Sequence, residues 1–221
     1  ITKRNIFDKV LKNIQLLINE GFHVKVNTVI MRGINDDEIT KFIDWTKENP
    51  VHVRFIEFMP FSGNQWNDKK VFSYEEILAL AEEKYSFIRM NDAMNETAKK
   101  FKPFGHEGTF AVISTMSEPF CSNCNRLRLT ADGKMKNCLF SKGEADILTA
   151  LRNGEDIVPI IKKCVSIKAE ALGGQFTGDY EKIYCNLYLS LNRSVCKLRK
   201  INRVKIGGNM ESCYCWQLRM G

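Results

Sequence analysis

Three cysteines and two arginines within one short segment are the residues of this sequence best suited to chemistry. Cys121 and Cys124 form a C-x2-C pair, and thirteen residues separate Cys124 from Cys138. Thiolates at this spacing bind either zinc or an iron–sulfur cluster. Arg126 and Arg128 lie between the cysteines, and guanidinium groups bind phosphate and carboxylate groups bidentately. The segment therefore predicts a metal centre beside an anion.

The sequence offers no convincing fourth protein ligand for such a centre. His106 lies in a glycine-flanked loop, where we expect a solvent-exposed side chain. Cys164 lies on the apolar face of a predicted helix, so it is expected to be a buried core cysteine. Nothing marks the chain as secreted, so disulfides are not expected. Three protein ligands leave one metal position open for a small molecule, although a zinc knuckle with a ligand from elsewhere remains the alternative.

The residues between the arginines and Cys138 predict a β-hairpin. Arg126 and Arg128 alternate with leucines, so both guanidinium groups are expected on one face of a strand. A two-residue turn would pair Cys138 with the leucine between the arginines. A three-residue loop, Ala131-Asp132-Gly133, would pair it with Arg126 instead. We predict the three-residue loop, with its glycine left-handed, because cross-strand partners share a face and Cys138 would then lie beside the arginines.

Composition and charge narrow the class of protein. The chain has 221 residues, of which 44% are hydrophobic and 27% charged, as in a globular protein with one sizeable core. It lacks an apolar run long enough to span a bilayer and a signal-peptide pattern, so we expect no membrane association and a cytoplasmic location, or the mitochondrial matrix in a eukaryote. Most of the net charge of +7 lies in residues 187–221, and a basic tail is more often solvated than bound to a polyanion, so a nucleic-acid partner is not expected.

The first sixty residues show a helix–strand–helix–strand pattern. Residues 6–20 have helical apolar spacing, and residues 23–30 and 51–58 are rich in β-branched residues. Asn35 and Glu38 predict the capped start of an intervening helix of about a dozen residues. This order is typical of an α/β fold with a parallel sheet. Two strands are too few for a complete barrel, so the segment is expected to close a larger α/β domain.

Shorter elements follow. Ser73 and Glu76 predict a capping box for a short helix. Short strands are expected up to residue 120, and residues 110–113 are the clearest of them. Beyond the hairpin, helices are predicted at residues 144–152 and 156–169, separated by an Asn-Gly pair.

Three strand residues have two interpretations each. Lys25 and Arg54 alternate with valines, so they face away from the valine side of their strands. In a barrel interior these cations would need anionic partners, whereas at a sheet edge they would be solvated. Met59 would ordinarily fill a core, but the C-terminal end of its strand is also where α/β folds bind ligands.

Several of these motifs resemble one protein family. Residues 120–133 with Cys138-Leu139-Phe140 closely resemble the C-terminal signature of the radical S-adenosylmethionine GTP 3′,8-cyclases of molybdenum cofactor biosynthesis, the MoaA family. Residues 24–27, 31–38 and 54–59 are also similar to that family. The resemblance extends from residue 1 to about residue 193.

The resemblance implies a fold and a domain organisation. The fold would be α/β: the C-terminal part of an incomplete (βα)6 radical-SAM barrel, followed by an α+β iron–sulfur domain. Residues 1–62 would form the partial barrel, and residues 63–192 the C-terminal domain that binds a [4Fe–4S] cluster and GTP. Residues 193–221 are expected to be a basic, poorly ordered tail.

The resemblance also implies roles for individual residues. Cys121, Cys124 and Cys138 would ligate a [4Fe–4S] cluster whose fourth iron is open to the purine of GTP. Met59 would contact S-adenosylmethionine. The residues that would bind GTP are Lys25, Arg54, Arg126, Leu127 and Arg128.

The implied activity is GTP 3′,8-cyclase, which forms (8S)-3′,8-cyclo-7,8-dihydroguanosine 5′-triphosphate by S-adenosylmethionine radical chemistry. The family generates its radical at a second cluster, bound by a C-x3-C-x2-C motif, and no cysteine precedes Cys121 here. We therefore expect that this chain alone does not turn over. A cyclic pyranopterin synthase would act downstream, and a homodimer is left open. The alternative from another class is a zinc-stabilised module that binds nucleic acid or protein.

Overall fold

The computed structural model describes residues 6–61, 63–141 and 143–174. The chain divides into two compact units, with the division between Asn125 and Arg126. The domain boundary expected at residue 62 lies within the first unit and stays a prediction. The expected basic tail, residues 193–221, lies outside the described residues.

The first unit alternates helices and strands. Its helices are α1 (Phe7–Asn19), α2 (Ile39–Trp45) and α3 (Tyr74–Glu82). Its strands are β1 (Val24–Ile30), β2 (Val51–Glu57), β3 (Phe87–Arg89), β4 (Lys99–Pro103) and β5 (Thr109–Ile113). Among the described residues, every helix is too short or too polar to cross a membrane. The predicted helix–strand–helix–strand order of the first sixty residues is confirmed.

The five strands form one mixed sheet in the order β1-β2-β5-β4-β3. β1, β2 and β5 run parallel, and β4 and β3 are antiparallel to their neighbours. The predicted α/β class with parallel strands is therefore confirmed for β1 and β2. The antiparallel strands β3 and β4 could not be inferred from the order of helices and strands, because the neighbour of β2 in the sheet is β5, not the next strand in the chain.

Alternate residues of this sheet face two different environments. On one face, Phe55 and Phe110 lie in the core with ring centroids 6.1 Å apart. Phe110 also stacks on Phe101 at 5.1 Å. Ile39, Phe42, Ile43 and Thr46 of the second helical segment are fully buried, because their helical spacing places them on one side of the segment. The opposite face carries Lys25, Asn27, His52 and Arg54, followed by the apolar pair Val29 and Ile56 toward the C-terminal ends of β1 and β2.

The two predicted helix caps have different outcomes. The Ser73–Glu76 capping box is present, with both reciprocal hydrogen bonds. The predicted Asn35–Glu38 capping pair is wrong. Asn35 instead closes the preceding loop: its Oδ1 accepts from the Met31 amide at 2.8 Å, and its Nδ2 donates to the Val29 carbonyl at 2.9 Å. Because this local bonding competes with capping, the chain first makes a 3-10 turn and α2 is shorter than predicted.

The second unit begins with the predicted hairpin. β6 (Arg128–Leu129) pairs with β7 (Lys134–Lys136), and β7 pairs with β8 (Ala145–Asp146). Arg128 lies opposite Lys136. The Thr130 amide donates to the Lys134 carbonyl at 2.8 Å, and Gly133 has a φ of 76°. The three-residue loop with a left-handed glycine is therefore confirmed.

Two helices complete the described part of this unit, α4 (Leu148–Arg152) and α5 (Val158–Ser166). α4 begins later than predicted because β8 occupies the start of that segment, and Asp146 then accepts from the amide and hydroxyl of Thr149. The helices are separated at Asn153-Gly154, as predicted. Cys164 is buried at 4% exposure, which confirms its assignment as a core cysteine.

The hairpin loop gives a stability prediction. A Cβ on Gly133 would lie 2.3 Å from the Leu148 Cβ, whereas one on Gly154, which has nearly the same φ, would meet nothing within 4 Å. Gly154→Ala should cost about 1–2 kcal/mol, the penalty for a left-handed conformation. Gly133→Ala should cost at least about 1 kcal/mol more, because Leu148 must also move. Urea unfolding of both variants measures the difference, and equal losses would contradict a tight fit at Leu148.

Candidate functional site

The polar face of the sheet brings together two residues that the sequence singled out. In the register of β1 and β2, Lys25 lies opposite His52, and Asn27 opposite Arg54. On the other side of β2, His52 lies opposite Thr109 of β5. All five therefore share the face that points away from the apolar core.

Four of these side chains, Lys25, His52, Arg54 and Thr109, line a cavity of about 180 Å³. Lys25 is exposed, and Arg54 is half-buried. β4 adds Lys100, and the segment before β4 adds Glu96. Lys100 reaches this face because it lies opposite the small residue Ala111, which in turn lies opposite Arg54 across β5. The cavity thus contains three cations, one carboxylate (Glu96) and one imidazole (His52). The cations are Lys25, Arg54 and Lys100.

Specific hydrogen bonds hold the charged groups in place. Arg54 Nε donates to Asn27 Oδ1 at 2.7 Å, so the two terminal nitrogens of the guanidinium are not used by this bond. Lys100 Nζ donates to Glu96 Oε2 at 2.7 Å. Because one carboxylate faces three cations, the cavity has a net positive charge suited to an anion.

His52 is the titratable group at the centre of this arrangement. Its Nδ1 lies 2.7 Å from Thr109 Oγ1. Burial lowers the pKa of His52 to about 4, and repulsion from Arg54, Lys100 and Lys25 acts in the same direction. At neutral pH the imidazole is therefore uncharged and does not add to the positive charge of the cavity.

The C-terminal end of β2 is organised by a buried carboxylate. Glu57 has no exposed surface. It accepts hydrogen bonds from the amides of Tyr74 at 2.9 Å, Met116 at 2.6 Å and Ser117 at 2.9 Å, and from the Ser117 hydroxyl. Burial raises the pKa of Glu57, and these hydrogen bonds oppose that shift. Glu57 thereby joins the end of β2 to the start of α3 and to the segment that leads to Cys121.

Met59 follows this carboxylate by two residues. Its side chain is half-buried, and its carbonyl accepts from Asn64 Nδ2 at 2.8 Å. Trp66 Nε1 donates to the Phe58 carbonyl at 2.8 Å. These bonds fold the loop after β2 back over its end. The assignment of Met59 to S-adenosylmethionine stays a prediction.

The cysteines lie in both units. Cys121 begins a 3-10 turn in the first unit, and the Cys124 amide donates to its carbonyl at 3.1 Å. Cys138 belongs to the second unit, where its carbonyl accepts from the Ser141 hydroxyl at 3.0 Å. All three are half-buried, and none forms a disulfide with the cysteines of the described residues.

Cys121, Cys124 and Cys138 fit an iron–sulfur cluster in ligand type. Half-buried, reduced thiols are the right ligands. Within the described ranges, however, no three His, Cys, Asp or Glu side chains are grouped to hold a metal ion. The shared ligation of one cluster by Cys121, Cys124 and Cys138 therefore stays a prediction. His106, expected to be solvent-exposed, is instead half-buried: its Nδ1 lies 2.9 Å from Thr46 Oγ1, and its ring packs edge-to-face on Tyr85 at 5.7 Å.

The arginine segment alternates as the sequence predicted. Arg126 and Arg128 are half-buried, whereas Leu127 and Leu129 are 40% and 69% exposed. The two arginines thus share the less exposed face. Lys168 Nζ donates to the Arg126 carbonyl at 3.2 Å and adds a further cation to this part of the second unit. Extending the hairpin register by two residues would pair Arg126 with Cys138, but the assigned strands end before them.

Among the groups of this site that the sequence interpretation missed are His52, Glu57 and Lys100. His52 had a signal, because it precedes Arg54 by two residues in a strand of period two. Glu57 also had one, since an acidic residue within an apolar strand must be paired or hydrogen-bonded. Lys100 had none, because its place depends on the antiparallel pairing of β4 with β5.

Comparison with known proteins identifies the family. Residues 51–173, more than half of the chain, match the family described as Molybdenum Cofactor Synthesis C. The chain belongs to this family. The Molybdenum Cofactor Synthesis C match includes β2, the cysteines and the hairpin, and it confirms the resemblance seen in the motifs.

Individual relatives carry consistent names. The chain is 49% identical over 158 residues to "GTP 3′,8-cyclase, mitochondrial" of Arabidopsis thaliana, covering 71% of this chain and 40% of that protein. It is 42% identical over 181 residues to "Molybdenum cofactor biosynthesis protein 1" of Mus musculus, covering 80% and 28%. The GTP 3′,8-cyclase of Thermodesulfovibrio yellowstonii is 41% identical over 177 residues, covering 78% and 55%. The chain therefore spans only part of the length of each relative.

The hydrogen bonds of Glu57 generate a prediction. In Glu57→Gln one oxygen becomes an NH2 group, which would face an N–H or O–H donor instead of accepting from it. We expect a loss of about 1–3 kcal/mol in the free energy of unfolding, because buried donors lose their acceptor. Glu75→Gln, an exposed position of α3, should stay within about 0.5 kcal/mol of wild type. Chemical denaturation tests both, and an unchanged Glu57→Gln would show that the carboxylate is dispensable.

Proposed function

We propose that this chain provides the GTP-binding part of a GTP 3′,8-cyclase of molybdenum cofactor biosynthesis. The observation that carries the proposal is the cationic cavity, in which Lys25 and Arg54 lie together with Lys100. Lys25 and Arg54 are two of the residues that the family resemblance assigns to GTP. The names of the relatives support the same substrate, since two of them are GTP 3′,8-cyclases.

The cavity would bind the phosphates of the nucleotide. Arg54 can present a planar pair of donors to phosphate oxygens, and its hydrogen bond to Asn27 fixes that plane before a ligand arrives. Lys25 supplies a more mobile charge from the adjacent strand. Lys100 would exchange its carboxylate partner, Glu96, for a phosphate oxygen. This arrangement favours a ligand with several negative charges over a neutral nucleoside.

The arginine segment would provide further contacts to GTP. Arg126 and Arg128 face one way, and the side chain of Leu127 faces the other. A nucleotide on the arginine face would therefore meet both guanidinium groups and the backbone of Leu127. Guanidinium groups donate to phosphate and to carbonyl oxygens alike, so either end of GTP is chemically compatible.

Cys121, Cys124 and Cys138 are proposed to ligate a [4Fe–4S] cluster. When bound, such a cluster supplies an iron without a protein ligand, to which a nitrogen or oxygen atom of the purine can bind. The protein would position this metal centre through the hydrogen bonds of Glu57 to the segment before Cys121. Met59, at the end of β2, is proposed to contact S-adenosylmethionine.

The finer fold and the wider setting are proposals of the same kind. The first unit would be part of an incomplete (βα)6 radical-SAM barrel, and the iron–sulfur domain would be α+β. The complete cyclisation, a downstream cyclic pyranopterin synthase and a homodimer are proposed for a protein of the relatives' full length. A cytoplasmic location is proposed, or the mitochondrial matrix in a eukaryote, since the Arabidopsis thaliana relative is named mitochondrial.

Loss of single cations tests the nucleotide site. Arg54→Ala should weaken GTP binding about tenfold or more, because a charged hydrogen bond contributes about 1.5–3 kcal/mol. Lys25→Ala should have a smaller effect in the same direction, since that lysine is exposed. Lys41→Ala, which removes an exposed lysine of α2, is the matched control and should leave binding unchanged. Calorimetric titration with GTP measures all three, and equal affinities of Arg54→Ala and wild type would contradict the proposed site.

Metal content tests the cluster. Chain purified anaerobically should contain iron and acid-labile sulfide, and Cys138→Ser should lose most of both because a thiolate ligand is removed. Cys164→Ala is the control and should retain them, since Cys164 is a buried core residue. Stoichiometric zinc without sulfide would instead support a zinc-stabilised binding module.

A further inference from the structure

His52 lies among the groups that would bind phosphate, yet no role follows for it from the family motifs. Four charged groups act on it: Lys25 from β1, Arg54 from its own strand, Lys100 from β4, and Glu96 from the segment before β4, whereas β5 contributes the neutral Thr109. These three cations and one carboxylate leave a net positive charge around the imidazole.

The hydrogen bond of His52 allows either charge state. Nδ1 lies 2.7 Å from the hydroxyl oxygen of Thr109. A hydroxyl group can donate to a neutral ring nitrogen or accept from a protonated one. Protonation of the ring therefore keeps this bond and makes both ring nitrogens donors. With Nδ1 bonded to Thr109, Nε2 is the nitrogen that can donate to a ligand.

We propose that His52 contacts the phosphates of a nucleoside triphosphate in this cavity and takes up a proton when the ligand binds. The proposal rests on the proposed function, because it places the same ligand in the same cavity. A triphosphate supplies several negative charges close to the ring, and these offset the repulsion from the three cations. The imidazolium can then donate a charge-assisted hydrogen bond to a phosphate oxygen.

Proton uptake makes affinity depend on pH with a definite sign. The pKa of His52 is about 4 in the free protein, and the bound anion raises it. The ligand therefore binds more tightly as the pH falls from the bound pKa toward the free pKa. If binding restores the ordinary pKa of about 6.5, affinity at about pH 5.5 exceeds that at about pH 7.5 roughly tenfold through His52 alone.

The experiment compares wild type with His52→Asn, whose amide can still reach Thr109 but does not titrate. GTP also protonates on its terminal phosphate in this range, so the difference between the two proteins isolates the histidine. His23→Asn is the matched control, because His23 is exposed and lies outside the cavity. Calorimetric titrations with GTP and with inorganic triphosphate at about pH 5.5 and 7.5 give the affinities.

A direct measurement of protonation complements these affinities. The chain has three histidines, so the ring signals of a labelled sample can be assigned by their loss in His52→Asn and His23→Asn. The NMR titration of His52 should shift to higher pH when inorganic triphosphate is present.

Two results would overturn the proposal, and they are distinguishable. Tight GTP binding that depends on Arg54 but has the same pH dependence in His52→Asn would refute the role of His52 and leave the proposed function intact. If GTP does not bind, or if Arg54→Ala leaves its affinity unchanged, the nucleotide site and the role of His52 are refuted together. The proposal is supported if lowering the pH from about 7.5 to about 5.5 raises the GTP affinity of wild type roughly tenfold more than it raises the affinity of His52→Asn.

Discussion

The parallel pairing of β2 with β1 and β5 fixes the positions of Lys25, His52 and Arg54 in the cavity. This pairing places Phe55 and Glu57 on one face of the sheet, and His52 and Arg54 on the other. A slip of one residue in either pairing would bury the arginine in the aromatic core and expose the phenylalanine. The apolar packing of Phe55 against Phe42 and Phe110 therefore stabilises the binding face as well as the core.

The cavity keeps like charges close together, and this has an energetic cost in the free protein. Lys100 is partly neutralised by Glu96, and Arg54 is held by the neutral acceptor Asn27. His52 avoids a further positive charge by remaining unprotonated. The free cavity thus keeps electrostatic repulsion that an anion would relieve, so the site is organised before its ligand arrives.

Local pattern predicted much of this site, and non-local pairing accounts for what it missed. Strand alternation placed Lys25 and Arg54 on the face opposite the valines, and the family resemblance then assigned them to GTP. The hairpin register followed from the loop that contains Gly133. Lys100 reaches the cavity only through β4, whose partner lies beside β2 out of chain order. The Asn35 cap failed for a local reason, since the same side chain had a competing bond within its loop. The shared cluster of the three cysteines and the contact of Met59 remain predictions.

The placement of the positively charged side chains helps to distinguish a nucleic-acid partner from a small anionic ligand. Proteins that bind nucleic acid use exposed lysines and arginines in stripes that follow a phosphate backbone. Here Arg54 and His52 are half-buried in a cavity and fixed by hydrogen bonds to Asn27 and Thr109. Only Lys25 among the cations of the cavity is exposed. A continuous backbone would have to reach these groups inside the cavity, whereas the terminal phosphates of a single nucleotide can enter it. The geometry of the first unit therefore favours a small polyanion.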